Sequence, residues 1–204
     1  MRFLKYSFVI AICFAAAAFA ADQGQTPFNS STISGLGARN IGSAAMSGRV
    51  AAIDAIRDAN GKLTIFVGSA SGGVWKSEDN GTRYKPVFDE QPVQSIGAIT
   101  LDPKDPKKIW VGTGESWTRN SVSIGNGIYK SVDGGETWNF SGLPNSERIA
   151  KIVVSPANGD TAYAAVPGNL WSDSTDRGLY KTTDGGASWN LVLKGANPSS
   201  GASW

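Results

Sequence analysis

Asp79, Asp133 and Asp184 are the first residues in this chain whose spacing suggests chemistry. They stand 54 and 51 residues apart, each followed within two residues by glycine. Their flanks repeat too: Lys76-Ser77-Glu78-Asp79-Asn80-Gly81-Thr82-Arg83-Tyr84, Lys130-Ser131-Val132-Asp133-Gly134-Gly135-Glu136-Thr137-Trp138, and Lys181-Thr182-Thr183-Asp184-Gly185-Gly186-Ala187-Ser188-Trp189. A carboxylate among glycines suits a cation or a general base, but the spacing misses the calcium-loop pattern. A structural role explains every fixed position. The aspartate accepts from its own turn, and Ser77, Ser131 or Thr182 closes that turn. Gly81, Gly135 and Gly186 permit positive φ, and Trp138 and Trp189 bury a ring beside the sheet. The three aspartates are therefore expected to pin hairpins, with no metal and no cofactor bound.

The remaining chemistry is limited by what is missing. The chain has no histidine, and its one cysteine is Cys13. That excludes Ser-His-Asp and Cys-His catalysis and His-ligated metals, leaving carboxylates, Tyr, Lys, Ser and Thr. Two long connections hold the best candidates, because long ordered loops are often functional. Residues 113–127 contain Glu115, Trp117, Arg119 and Asn120; residues 166–178 contain Asn169, Trp171, Asp173, Asp176 and Arg177. A tryptophan beside acidic and basic groups suits a sugar or peptide, with the ring stacking and the polar groups hydrogen-bonding. The competing reading makes Trp117 and Trp171 plugs on the ends of the sheets. Glu115 is a weak candidate for a general acid and a better one for an ion pair with Arg119, because no second carboxylate is placed opposite it. Arg49 is expected to anchor a strand start or to line a central channel.

The elements that must position these groups follow from alternation and turn residues. Each period of about fifty residues contains four short segments rich in β-branched and aromatic residues, separated by Gly, Pro, Asn and Asp. The strands are predicted at 48–56, 63–68, 74–77 and 84–87; at 96–101, 109–112, 128–131 and 138–140; and at 149–155, 161–165, 179–182 and 189–193. No sustained helical period appears. Four antiparallel strands per repeat describe an all-β chain of propeller blades. Three complete blades are visible, at about 35–90, 91–143 and 144–194. Closed propellers need roughly four to eight blades. Residues 195–204 are thus expected to be the truncated start of a fourth blade, in a fragment of a larger propeller such as a seven-bladed one. Self-association is the alternative way to complete the ring.

Arg2 and Lys5 precede an apolar run over residues 8–20 that ends in small residues, so residues 1–21 read as a signal peptide and residues 22–34 as a flexible lead-in. The chain has 19 basic and 17 acidic residues; without the leader, basic and acidic residues balance at 17 each. That balance gives no electrostatic case for nucleic acid, and no later stretch is apolar enough to span a membrane. The expected location is exported, periplasmic or extracellular.

The repeat resembles the Asp-box, or BNR repeat, of sialidase-like propellers. Arg39-Asn40-Ile41-Gly42, Met46-Ser47-Gly48-Arg49, the run from Val67 to Ser77, Ser95-Ile96-Gly97-Ala98-Ile99 and Gly112-Thr113-Gly114-Glu115 resemble exported proteins labelled BNR-repeat glycosyl hydrolases. These in turn are similar to the sortilin (Vps10) propeller and to two-propeller xyloglucanases. The resemblance implies a non-catalytic module binding a glycan or a protein at its top-face loops. It implies as the alternative part of a secreted glycoside hydrolase whose catalytic residues lie partly outside this chain. The xyloglucanases carry a base aspartate two residues before a Gly-Gly pair; here Ala70 stands at that distance from Gly72-Gly73.

Overall fold

The computed structural model describes residues 49–117 and 122–194. All of them fall in one contact unit, Asn40–Trp204. The expected signal peptide, the expected lead-in, the expected start of the first blade, Arg119, Asn120 and residues 195–204 lie outside the described residues.

Twelve strands form three sheets of four, and the described residues contain no helix. The first sheet holds β1 (Val50–Arg57), β2 (Leu63–Ser69), β3 (Val74–Ser77) and β4 (Lys85–Pro86). The second holds β5 (Ile96–Leu101), β6 (Ile109–Thr113), β7 (Ile128–Ser131) and β8 (Asn139–Phe140). The third holds β9 (Lys151–Val154), β10 (Ala162–Val166), β11 (Gly178–Thr182) and β12 (Asn190–Lys194). Each sheet is an antiparallel meander in sequence order. This is the expected blade, and the three sheets are blades of a β-propeller.

Two predicted strands are shorter by two residues or more. Strand β4 shrinks to Lys85–Pro86, and Pro86 has no N–H with which to extend a ladder. Strand β9 begins at Lys151 because Ile149 N–H donates instead to Thr113 O of the second sheet, at 3.0 Å.

Alternation along the strands builds two apolar layers. Phe66 and Val74 of the first sheet pack with Ile99, Leu101, Ile109, Val111 and Tyr129 of the second. Ala98, Trp110 and Ile128 point the other way, onto Ile152, Val154, Ala162 and Ala164 of the third. The second sheet is therefore buried on both faces, and all five residues of β6 are buried. The sheets approach closely at glycine. A Cβ on Gly68 would lie 2.6 Å from Ile96, and one on Gly112 would lie 2.4 Å from Ile149. Contacts β1–β5 and β5–β9 put the first strand of each sheet on a common inner side. Thr100 Oγ1 donates to Ile152 O across that side, and Leu101 N–H donates to Asp54 Oδ2, at 2.7 and 2.8 Å.

Candidate functional site

The three aspartates sit in the β3–β4, β7–β8 and β11–β12 turns. In the second sheet, Ser131 Oγ donates to Asp133 Oδ1 at 2.7 Å and accepts from Gly135 N–H at 2.8 Å. Asp133 also accepts from the N–H groups of Glu136 and Thr137 and from the Thr137 hydroxyl. The third sheet repeats this with Thr182, Asp184, Gly186 and Ser188. In the first, Ser77, Asp79 and Gly81 keep the pattern, and Arg83 supplies both the N–H and the side-chain donor. The Thr137 hydroxyl, followed by its N–H, holds the Asp133 carboxyl well below the usual carboxylate range. Ser188 does the same for Asp184. The Arg83 N–H leads the downward shift of Asp79. A carboxylate with such a low proton affinity is a poor general base, and its acceptor sites are taken by its own turn. No cluster of three or more ligating side chains occurs among the described residues.

The boxes do more than pin hairpins. Trp138 Nε1 donates to Val87 O of the preceding sheet, and Trp189 Nε1 donates to Ser141 O, each at 2.6 Å. Trp138 meets Phe88 edge-on, and Trp189 meets Trp110 edge-on. The second and third boxes therefore each join their own sheet to the one before it. Tyr84 holds the corresponding place in the first sheet and is exposed.

The opposite ends of the sheets carry the long loops. Here Glu115 is wholly buried, and its partner is Arg49, on the residue before β1. The sequence predicts Arg119 for that pairing; Arg119 lies outside the described residues, and the end of β2 brings Arg49 to the loop, where Ala70 N–H donates to Arg49 O at 3.0 Å. The pair links the first sheet to the second. The Glu115 N–H donates to Ser95 Oγ and to Ser123 O, at 3.1 and 3.2 Å. Ser71 and Ser123 hydroxyls meet at 3.5 Å. Glu115 Oε2 and Arg49 Nε are enclosed with no hydrogen bond from the described residues.

In the third sheet, Arg177 is buried and binds its own loop: its guanidinium donates to the carbonyls of Pro167, Asn169 and Ser172. Its place is that of a loop clamp. Asp173 is exposed in the same loop. Trp117 and Trp171 are 64% and 65% exposed, so neither ring plugs a sheet end. Trp117 stands at one end of an open groove of about 490 Å³ along the inner strands, with Ala51, Ile53, Gly97, Ala98 and Lys151.

Sequence reasoning missed three groups. The serines at 71, 95 and 123 carry no repeat signal. Arg148, which is buried and donates to Glu147 Oε2 at 2.6 Å, hides in an irregular connection. The lysines at 76, 130 and 181 open each repeat, which was the available signal. Lys130 Nζ donates to Gly185 O of the next sheet at 2.8 Å and lies 4.3 Å from the centre of the Trp110 ring. Burial lowers its pKa.

The blades and their boxes define a BNR-repeat β-propeller of the sortilin and xyloglucanase kind. The pattern of the Sortilin-Vps10 family, described as sortilin, neurotensin receptor 3, matches residues 72–202, and the chain belongs to that family. A xyloglucanase of Hypocrea jecorina is 36% identical over 110 residues, which is 48% of this chain and 12% of that protein. A xyloglucanase of Acetivibrio thermocellus is 25% identical over 150 residues, 67% of this chain and 17% of that protein. The chain thus spans less than a fifth of either relative. The crystal structure of an ancestral GH74 enzyme aligns with a TM-score of 0.60 at 22% identity, over 81% of this chain and 20% of that one, which shows the shared fold. No helix among the described residues is long and apolar enough to cross a membrane.

Proposed function

We propose that this chain supplies three adjacent blades of an exported glycoside hydrolase of the xyloglucanase kind, and that these blades bind the polysaccharide rather than cleave it. One observation carries the reading: Trp117 and Trp171 are both exposed on the loop side of adjacent blades, Trp117 at the end of an open groove. Exposed rings of this sort stack on the apolar faces of sugars. The xyloglucanase relatives supply the substrate class. The apolar leader over residues 8–20 supports export.

Catalysis by Glu115 fits poorly. Its carboxylate is buried against Arg49, and Ala70, fully buried, stands where the resembling enzymes place a base. A methyl group takes no proton from water, and inverting cleavage needs two carboxylates about 6.5–9.5 Å apart.

Calorimetric titration with xyloglucan oligosaccharides tests the reading. Trp117→Ala and Trp171→Ala are each expected to weaken binding by about tenfold, equivalent to about 1.4 kcal/mol. Unchanged affinity in both variants would remove the binding role. Release of reducing sugar by the chain alone, abolished in Glu115→Gln, would overturn the non-catalytic assignment.

A further inference from the structure

The two joints between sheets repeat each other, except at one ring. Between the first and second sheets, Phe88 sits between Tyr129 and Trp138. The ring centres are 5.3 and 5.2 Å from its own, and both contacts are edge-on. Phe88 stands nine residues after the aspartate of its own box; Tyr129 stands four before the next aspartate and Trp138 five after it. Between the second and third sheets the same positions hold Gly142, Tyr180 and Trp189. The two flanking rings are kept, and the ring between them is gone.

No side chain can return from that position. Gly142 has a φ of +102°, and a Cβ there would lie 2.8 Å from the Trp189 ring. Leu143, held at a φ of +57°, packs against the apolar layer of the joint and takes up only part of the space. A cavity of about 250 Å³ remains, lined by Leu143, Pro144, Ser146, Val166, Tyr180 and Trp189 among others. Its walls belong to the second and third sheets and the connection between them, so it does not depend on what adjoins either end of the three blades. One wall carries an unmet polar group. Ser146 is 2% exposed, and its Oγ is enclosed with no hydrogen bond from the described residues. Tyr180 Oη, by contrast, donates to Asp176 O at 3.0 Å. Enclosing a hydroxyl without a partner is costly, so Ser146 Oγ marks the place for a polar group of a ligand. Asp176 is the one charged residue along the cavity among the described residues, which disfavours an anion.

We infer that this cavity binds a neutral phenol. The aromatic ring takes the place between Tyr180 and Trp189 that Phe88 takes in the preceding joint, with the same edge-on contacts, and the phenol hydroxyl bonds to Ser146 Oγ. An apolar cavity of about 150 Å³ already holds benzene, so the larger volume has room for a ring and its substituents. The site is separate from the polysaccharide-binding loops, since neither Trp117 nor Trp171 lines it.

Saturation-transfer NMR titration of the full chain with p-cresol tests this. A dissociation constant of about 1 mM or tighter is expected for a ligand of this size. 4-Hydroxybenzoate, which brings a carboxylate toward Asp176, is expected to bind at least about tenfold more weakly. Ser146→Ala removes only the enclosed hydroxyl; it should leave the melting temperature unchanged or raised and weaken p-cresol about fivefold. Toluene, which has no hydroxyl, should bind the wild type and Ser146→Ala alike. Tyr180→Leu removes one flanking ring and is expected to weaken both probes; Ser146→Ala carries the test alone if Tyr180→Leu melts early. N-acetyl-tyrosinamide identifies the source of the phenol: binding as tight as that of p-cresol assigns the site to a tyrosine side chain of a peptide, and weaker binding assigns it to a free phenol. No p-cresol binding up to about 10 mM overturns the proposal. So does p-cresol affinity unchanged in Ser146→Ala, or equal affinity for 4-hydroxybenzoate.

Discussion

At the residue scale, two kinds of carboxylate differ in what surrounds them. Asp133 is a surface group whose oxygens are filled by its own turn, whereas Glu115 is enclosed and answers to a cation from another sheet. For Asp133 the folded pKa is depressed. The carboxylate therefore contributes stability above its unfolded value of about 3.9, and that contribution is lost as pH falls through the folded value. Asp133→Asn removes the dependence along with the charge-assisted bonds. Urea midpoints measured from neutral pH down to pH 3 or so are expected to fall less steeply for the variant, and parallel curves would remove the claim. At neutral pH the variant loses about 1–2 kcal/mol, as for the loss of a capping side chain. Glu115 behaves differently. Removing one member of an enclosed pair strands the other, so Glu115→Gln is expected to cost about 1–3 kcal/mol, reduced because Arg49 is partly exposed. The double variant Arg49→Met/Glu115→Leu is expected to be more stable than Glu115→Gln. A double variant weaker than the single one would mean that the pair is worth more than its desolvation.

At the scale of the elements, the box turn is a joint between sheets as well as a hairpin. Gly186 shows why the second glycine is fixed. Its φ is +93°, and a Cβ there would lie 2.1 Å from Ser141 Oγ and 2.8 Å from the Trp110 ring. Gly186→Ala thus combines left-handed strain with overpacking, and it is expected to cost about 2–4 kcal/mol in chemical denaturation. Gly61 has a similar φ of +81° with no atom within 4 Å of its Cβ, so Gly61→Ala isolates the strain alone and should cost about 1 kcal/mol. Equal losses would refute the joint. The turn chemistry was legible from sequence because Ser131, Asp133, Gly135 and Thr137 satisfy one another within seven residues. The inter-sheet half was not. Trp138 Nε1 finds Val87 O, 51 residues away, and nothing local in either segment marks the pairing. The same distinction explains the loop end, where Glu115 and Arg49 are 66 positions apart and the nearer Arg119 was the natural expectation.

Across the whole molecule, the strand order was readable because each repeat alternates and each turn is marked by Gly, Pro, Asn or Asp. The uneven burial of three like repeats was not, because it depends on which sheet has neighbours. Strand β6 is buried at every position, while all five residues of β12 are exposed and β9 alternates between exposed and buried. The middle sheet lies under two apolar layers and each outer sheet under one. Opening the middle sheet must therefore expose both layers, whereas fraying β12 exposes almost nothing. Native-state hydrogen exchange should reflect this, with amides of β5, β6 and β7 exchanging at least about tenfold more slowly than those of β12. Uniform protection across the three sheets at low concentration would contradict the layered arrangement, since it would require the outer sheets to open only together with the centre.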